Sequence, residues 1–226
     1  MKGALDMEQN KQGKGLNYLC LALYAFGGLG LEILLAFAIE PVLYGRSMSQ
    51  WPVMETIIHW ILTCILWGMM TICLINKAKK NYAFDVFQYK PMLKKVQWLK
   101  VMILGIGIVA ISYWDWNGFK IIKEYQNKGL IKFIFQYIYY FFEAGLFTLI
   151  IVFGQKAGEL WFKTTKIPFG GMVLGLSWGL AHILTKGSIR MGLELLVVSI
   201  VFGSIYLILG KDIKKAYLVL AILFVL

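Results

Sequence analysis

A glutamate and a histidine on two predicted neighbouring helices could carry out acid–base chemistry inside an apolar protein. Glu143 lies in the apolar run 133–153, and His182 lies near the end of the apolar run 167–184. Ionisable side chains are costly at membrane depth, so they usually face the interior of a helix bundle. Such a pair can position and deprotonate a water for peptide hydrolysis, with Glu143 as general base and His182 as metal ligand or oxyanion donor. We therefore take Glu143 and His182 as the candidate catalytic pair.

Other polar residues in the first two apolar runs could support this pair. Glu40 lies in the first run, and His59 lies in the second run with Glu55 one turn before it. A zinc site normally needs at least three protein donors, so His59 could supply a donor that Glu143 and His182 lack. Zinc is therefore the one cofactor that the sequence suggests, and the identity of any metal stays open. His59, Glu55 and Glu40 are the predicted supporting residues.

Small residues recur on the two helices around His182. They are Gly171, Gly175 and Gly179 on the fifth run and Gly192, Ser199 and Gly203 on the sixth. Small residues at every fourth position form a smooth face on which a second helix packs closely. His182 follows Gly171 by eleven residues, about three helical turns, so we expect the imidazole to point into the same contact. The alternative is that the glycines only pack helices and the histidine bonds to a neighbour.

The composition indicates that lipid is the solvent of these helices. Apolar residues make up 59% of the 226 residues and charged residues only 15%, with a mean hydropathy of +0.69. The apolar runs are 16–43, 53–75, 98–114, 133–153, 167–184, 191–209 and 216–226. Six of them can cross a hydrocarbon core of about 30 Å, whereas the last run reaches only roughly 16 Å unless residues 213–215 extend it. The predicted fold is all-α, a polytopic integral membrane bundle of six to seven transmembrane helices.

The positive charge predicts an orientation and a partner. Most of the 23 lysines and arginines lie on the side of the amino terminus, including a basic loop between the second and third runs. Because these residues resist translocation, we expect a cytoplasmic amino terminus in a bacterial plasma membrane. This topology and attraction to anionic headgroups account for the net charge of +11. The lipid bilayer is thus an expected partner, and nucleic acid is not.

The carboxy-terminal part of the chain resembles the CPBP family of intramembrane proteases, also called Abi, which includes CAAX prenyl endopeptidases and bacteriocin-processing proteins. The family motifs are E-E-x-x-x-R, F-x-x-x-H and a later H-x-x-x-N or H-x-x-x-H. Residues 143–148 occupy the first motif and residues 178–182 the second, with Trp178 in place of phenylalanine. The resemblance implies a polar tail at 1–15, three helices with a basic loop at 16–130 and a CPBP-like core at 131–226.

The chain departs from this family at three points. Ala144 replaces the second glutamate, Thr148 replaces the arginine, and the region of the third motif, 220–224, is wholly apolar. A metal held by the motif histidines would lose a ligand here. The resemblance therefore implies a catalytically degenerate member, a pseudoenzyme that binds a hydrophobic peptide or another membrane protein in bacteriocin immunity, peptide maturation or enzyme assembly.

Two alternatives stay open. The chain could be an active intramembrane endopeptidase that uses Glu143 and His182 on prenylated or exported peptides. In family members of the CAAX type the site is reached from the cytoplasm, whereas the charge distribution places His182 near the outer face. Alternatively, Glu32 and Glu40 could line the path of a transporter or channel subunit.

Overall fold

The computed structural model describes the backbone of residues 2–226 and the side chains of residues 13–226. Its α-helices are α1 (Lys2–Leu29), α2 (Leu31–Leu34), α3 (Glu40–Tyr44), α4 (Val53–Tyr82), α5 (Lys95–Asp115), α6 (Lys120–Phe162), α7 (Phe169–Leu174), α8 (Leu180–Lys186), α9 (Ile189–Ile208) and α10 (Ile213–Val225). Two π-helical turns, Leu35–Ile39 and Gly175–Gly179, join α2 to α3 and α7 to α8. No strand occurs in residues 2–226, so the predicted all-α class is confirmed there. The predicted tail at 1–15 lies mostly outside the described side chains.

Among the described residues, five helical stretches are long and apolar enough to cross a membrane. They are Gly13–Tyr44, Val53–Tyr82, Lys95–Asp115, Lys120–Phe162 and Ile189–Ile208. The fifth predicted run takes the form of α7, a π-turn and α8, and the last is the 13-residue helix α10. The architecture is compatible with the predicted helical bundle.

The outer surface of the bundle is strongly apolar. Leu184, Val42 and Phe37 are 87%, 82% and 73% exposed, and many other large apolar side chains are exposed around them. Water-soluble proteins rarely expose apolar patches beyond a few hundred Å², whereas side chains of this kind are at no disadvantage against lipid. The helices therefore suggest a protein embedded in a membrane.

Helix α6 forms the centre of the bundle. It contacts α1, α4, α7 and α10. Residues 146–155 of α6 are all buried, and Phe147 stacks against Phe202 of α9 at a ring distance of 5.6 Å. A helix that is apolar on all sides is buried on all sides. The other helices are thus positioned by their contacts with this one.

Helix α6 also contains a sharp reversal at Gly129. Gly129 has φ 72° and ψ 166°, a conformation that favours glycine. The hydroxyl of Tyr140 donates a 2.7 Å hydrogen bond to Glu124, sixteen residues earlier. In a straight helix these residues would be about 24 Å apart. Residues 120–128 therefore fold back along residues 130–162.

A basic face gathers at one end of the bundle. Phe84 and Val86 of the loop after α4 insert into the core and fix this loop against α6. Three ammonium groups lie over aromatic rings, 5.2 to 5.7 Å from the centroid: Lys156 over Phe84, Lys211 over Tyr89 and Lys214 over Phe87. The aromatic residues interleaved in the basic loop thus support lysines from two other parts of the chain.

Asp212 begins α10 at this face. Its Oδ1 accepts hydrogen bonds from the amides of Lys214 and Lys215, and its Oδ2 accepts one from Lys215 Nζ at 2.8 Å. Burial on its own would raise the pKa of Asp212, but the hydrogen bonds and charge of Lys215 lower it below its usual value. The ionised side chain therefore caps the helix that packs beside the candidate site.

The small residues form the contact between α7 and α9. A Cβ built on Gly203 would lie 2.5 Å from the backbone nitrogen of Gly171, and one on Gly175 or Gly179 would crowd the backbone of Leu196. The two helix backbones thus touch directly, as small residues at a helix contact allow.

The close contact between α7 and α9 predicts that an added methyl group at Gly203 destabilises the protein. We expect Gly203→Ala to reduce the free energy of unfolding by about 1–3 kcal/mol, because the added methyl group must push two backbones apart. Gly107→Ala is the matched control, since nothing lies within 4 Å of its Cβ, and it should leave stability unchanged or raise it by up to about 1 kcal/mol, because alanine favours a helix more than glycine does. Denaturant unfolding in detergent micelles measures both, and equal losses would contradict the contact.

Candidate functional site

The first π-turn aligns two glutamates on one side of the first membrane segment. Glu32 lies in α2 and Glu40 begins α3, eight residues later. In a regular α-helix, eight residues leave the two side chains about 80° apart around the axis. A π-turn accommodates one extra residue, which reduces this angle to about 20°. The turn at Leu35–Ile39 therefore presents both carboxylates to the same neighbour, α4.

That neighbour places His59 between the two carboxylates. The Nδ1 atom of His59 lies 2.6 Å from Glu40 Oε2, and Nε2 lies 3.6 Å from Glu32 Oε1. His59 and Glu40 are completely buried, and the ring of Trp51 lies 5.4 Å from the imidazole. A buried charge of this kind persists only when it is paired. Glu32, His59 and Glu40 form what we call the first cluster.

Glu55 takes no part in the first cluster. Its carboxylate pairs with the guanidinium of Arg46 through two hydrogen bonds at the surface. Of the predicted supporting residues, the structure thus joins His59 to Glu40 and places Glu55 in a separate ion pair.

Trp178 joins the candidate catalytic pair. Its indole Nε1 donates a 2.9 Å hydrogen bond to Glu143 Oε1, and its carbonyl oxygen lies 2.8 Å from His182 Nδ1. A carbonyl only accepts, so Nδ1 carries the hydrogen and Nε2 faces away from this bond. Glu143 and His182 are both half-buried, whereas Trp178 is buried. Glu143, Trp178 and His182 form the second cluster.

The orientation of His182 differs from the expectation that it lies on the glycine face. The second π-turn, Gly175–Gly179, lies between Gly171 and His182 and adds one residue, which rotates the following side chains by about 100°. Ile183 consequently meets Gly192 of α9, and the His182 ring instead makes an edge contact with the ring of Trp178 at 4.7 Å. The histidine faces the second cluster because of this extra residue.

The two clusters border one polar region of the bundle. Glu32 is close enough to interact electrostatically with Tyr139, Glu143 and His182. Tyr139 is buried, and its ring lies 4.7 Å from that of Trp67. Residues from α2, α4, α6 and α8 thus surround this region.

Four further residues near the site were not predicted. Lys120 and Glu124 lie in the segment that folds back, and Gln136 and Tyr140 lie on the following part of α6. Gln136 Nε2 donates to Glu124 at 3.1 Å, and Lys120 Nζ donates to the carbonyl of Phe224 at 2.7 Å. The spacing of Lys120 and Glu124, one turn apart, is the available signal in the sequence, but both residues lie between the apolar runs 98–114 and 133–153.

The residues of the site do not fit a zinc ion. Among the described side chains, no three His, Cys, Asp or Glu residues form a group that could hold a metal. One Glu143 oxygen already accepts a hydrogen bond from Trp178. Leu220, in the region of the missing third motif, is completely buried in the apolar core. Phe224 contacts the rings of Trp178 and Phe147 at 5.8 and 5.4 Å. The region of the missing third motif is therefore an apolar wall that ends in the ring of Phe224, and its side chains supply no metal ligand.

No protein-family model, curated protein or solved structure matches this chain. The resemblance to the CPBP family rests on the motif residues of the sequence.

The first cluster predicts a contrast between two ion pairs. We expect Glu40→Ala to cost about 3–5 kcal/mol, because it leaves His59 buried without its partner. Glu55→Ala removes a carboxylate from the surface pair with Arg46 and should cost no more than about 1 kcal/mol. Thermal and denaturant unfolding of the two variants provide the comparison. A similar loss of stability in both variants would show that the buried pair stabilises the protein no more than the surface pair does.

Proposed function

We propose that the chain is a membrane-embedded binding protein, a degenerate relative of the CPBP proteases, which holds a hydrophobic peptide or a segment of another membrane protein at the second cluster. The observation that carries this proposal is the role of Trp178, which bonds both Glu143 and His182 while the adjoining wall is formed by Phe224. The pair is thus held in place without a metal.

The exposure of the second cluster supports binding. Glu143 and His182 are half-buried, so a ligand can reach them, whereas His59 and Glu40 of the first cluster are completely buried. The surrounding surface is apolar, so a peptide that binds there gains contacts along its apolar side chains. A carboxylate in such a wall favours a ligand with a hydrogen-bond donor or a positive charge, because an unpaired polar group in lipid is costly. A hydrophobic helix with one basic residue has this chemistry.

We further propose the orientation and the number of spans. The basic face at the ends of α4, α6 and α9 lies in the cytoplasm, with the amino terminus on the same side of a bacterial plasma membrane. The segment α7–α8 crosses as a sixth span, and α10 enters as a short seventh. The second cluster then opens toward the outer half of the membrane. Its partners are membrane or exported peptides together with the bilayer, and not nucleic acid.

A defined peptide tests the proposed binding. In nanodiscs, we expect an oligoleucine helix with one central lysine to bind about tenfold more tightly than the all-leucine helix, which corresponds to about 1.4 kcal/mol. Glu143→Gln should abolish this preference because it removes the charge that pairs with lysine. Energy transfer between labelled peptide and labelled protein measures both affinities.

Glu194→Gln is the control for this experiment, since Glu194 pairs with Arg190 at the surface. It should leave the preference for the lysine peptide unchanged. Equal affinity for the two peptides, or a preference that survives Glu143→Gln, would overturn the proposal.

A second candidate function is peptide hydrolysis, and one observation favours it. Trp178 brings the two motif residues to the same side chain, as a peptidase site would require. On this alternative, we expect Glu143→Ala and His182→Ala each to abolish cleavage of the peptide substrate in cells, because both groups act on the attacking water. The expression level of the protein should stay unchanged. Mass spectrometry of the peptide provides the measurement, and Glu194→Ala provides the control. Retention of cleavage in both variants would exclude the enzyme.

A further inference from the structure

A line of buried polar atoms without partners runs along one side of α4. The atoms are His59 Nε2, Thr63 Oγ1 and Trp67 Nε1, which recur at every fourth residue. All three side chains are at most 1% exposed, and Glu40 Oε1 beside His59 also has no partner. Each buried polar group left without a hydrogen bond costs about 1–3 kcal/mol, and native proteins leave few of them. Several on consecutive turns of one helix require an explanation.

The Thr63 hydroxyl, like that of Thr148, has no hydrogen-bond partner, and in this it differs from four other hydroxyls in the helices. Thr56, Ser177, Ser199 and Ser204 each donate to the carbonyl four residues earlier, at 2.7 to 3.2 Å. This bond is the usual solution for a serine or threonine in a helix. Thr63 does not make it, so its buried hydroxyl has no partner on its own helix.

The spacing of these positions along α4 suits bridging by water. Successive positions four residues apart on a helix are about 6 Å apart along the axis. Two hydrogen bonds of about 2.8 Å through one water span a similar distance. The separation of His59 Nε2 and Glu32 Oε1, 3.6 Å, is also too long for a direct hydrogen bond.

The donors and acceptors along the line are complementary to water. Glu40 Oε1 only accepts when it is ionised, Trp67 Nε1 only donates, and the Thr63 hydroxyl does both. A buried water needs two to four polar partners, and these atoms supply them from consecutive turns.

We propose that a file of ordered water molecules, about one per helical turn, lies along α4 from Glu40 and His59 past Thr63 to Trp67. The file is separate from the second cluster and does not depend on the proposed function. It extends a hydrated path from the end of the first two spans toward the middle of the bundle. These atoms have no hydrogen bond to another protein atom, and the water molecules of the file supply the missing partners.

Solid-state NMR of the full chain in lipid tests this proposal directly. The chain has only two histidines, so His182→Asn leaves His59 as the single imidazole in uniformly ¹⁵N-labelled protein, in which its ring nitrogens and the backbone amides are observed together. We expect magnetisation from water to reach the His59 ring nitrogens at least threefold faster than the amides of the buried core of α6. Transfer as slow as in that core would overturn the proposal.

Two substitutions on α4 give the matched comparison. Thr63→Val and Thr56→Val each replace a hydroxyl by a methyl group, but only Thr63 lies on the proposed file. Thr63→Val should slow the transfer to His59 severalfold, and Thr56→Val should leave it unchanged. An unchanged rate in Thr63→Val contradicts the file.

Thermal unfolding of the same variants is a second readout. If water bonds the Thr63 hydroxyl, Thr63→Val lowers the melting midpoint, because the file loses a partner. If no water lies beside Thr63, the same substitution removes a buried hydroxyl that has no hydrogen bond and raises the melting midpoint. A raised midpoint would therefore also refute the proposal, and it needs no NMR assignment.

Discussion

Polar side chains buried among strongly apolar helices must find their partners within the bundle, because the apolar surroundings offer none. This constraint accounts for the arrangement of the site. His59 lies between two glutamates, Glu143 accepts from Trp178, and Lys120 donates to a helix-end carbonyl. The part of α6 between residues 146 and 154 is by contrast almost wholly apolar. One part of the interior thus contains the polar groups, and in the other part apolar side chains pack closely.

The two π-turns determine which polar groups meet. Each turn adds one residue to a membrane segment and so rotates everything after it by about 100°. The first brings Glu32 and Glu40 onto the face opposite His59, and the second turns His182 from the glycine contact to Trp178. π-turns are often found at functional sites. Here both lie directly beside the residues that could do chemistry.

The sequence predicts the helices well and the site only in part. Long apolar runs and small residues at every fourth position are local signals, and they indicated the bundle and the close approach of Gly171 to Gly203. The π-turns leave no such signal, because LAFAI at 35–39 is an ordinary apolar helical sequence. Extrapolation at 3.6 residues per turn therefore misplaced His182. The reversal at Gly129 was missed for a related reason, since a single glycine is compatible with a continuous helix.

Lys120 lies beside the second cluster and bears on how its carboxylate is held within the apolar bundle. Its ammonium interacts electrostatically with Glu143 and lies 4.6 Å from the Tyr140 ring and 4.8 Å from the Phe224 ring. Phe224 therefore has two effects: its ring excludes a donor from the wall, and its carbonyl holds a cation near the carboxylate. A nearby ammonium opposes the cost of burying the Glu143 carboxylate, and unlike a metal ion it offers no open coordination position to water. On the proposed function, Lys120 and Trp178 together keep a polar recognition group within an apolar wall.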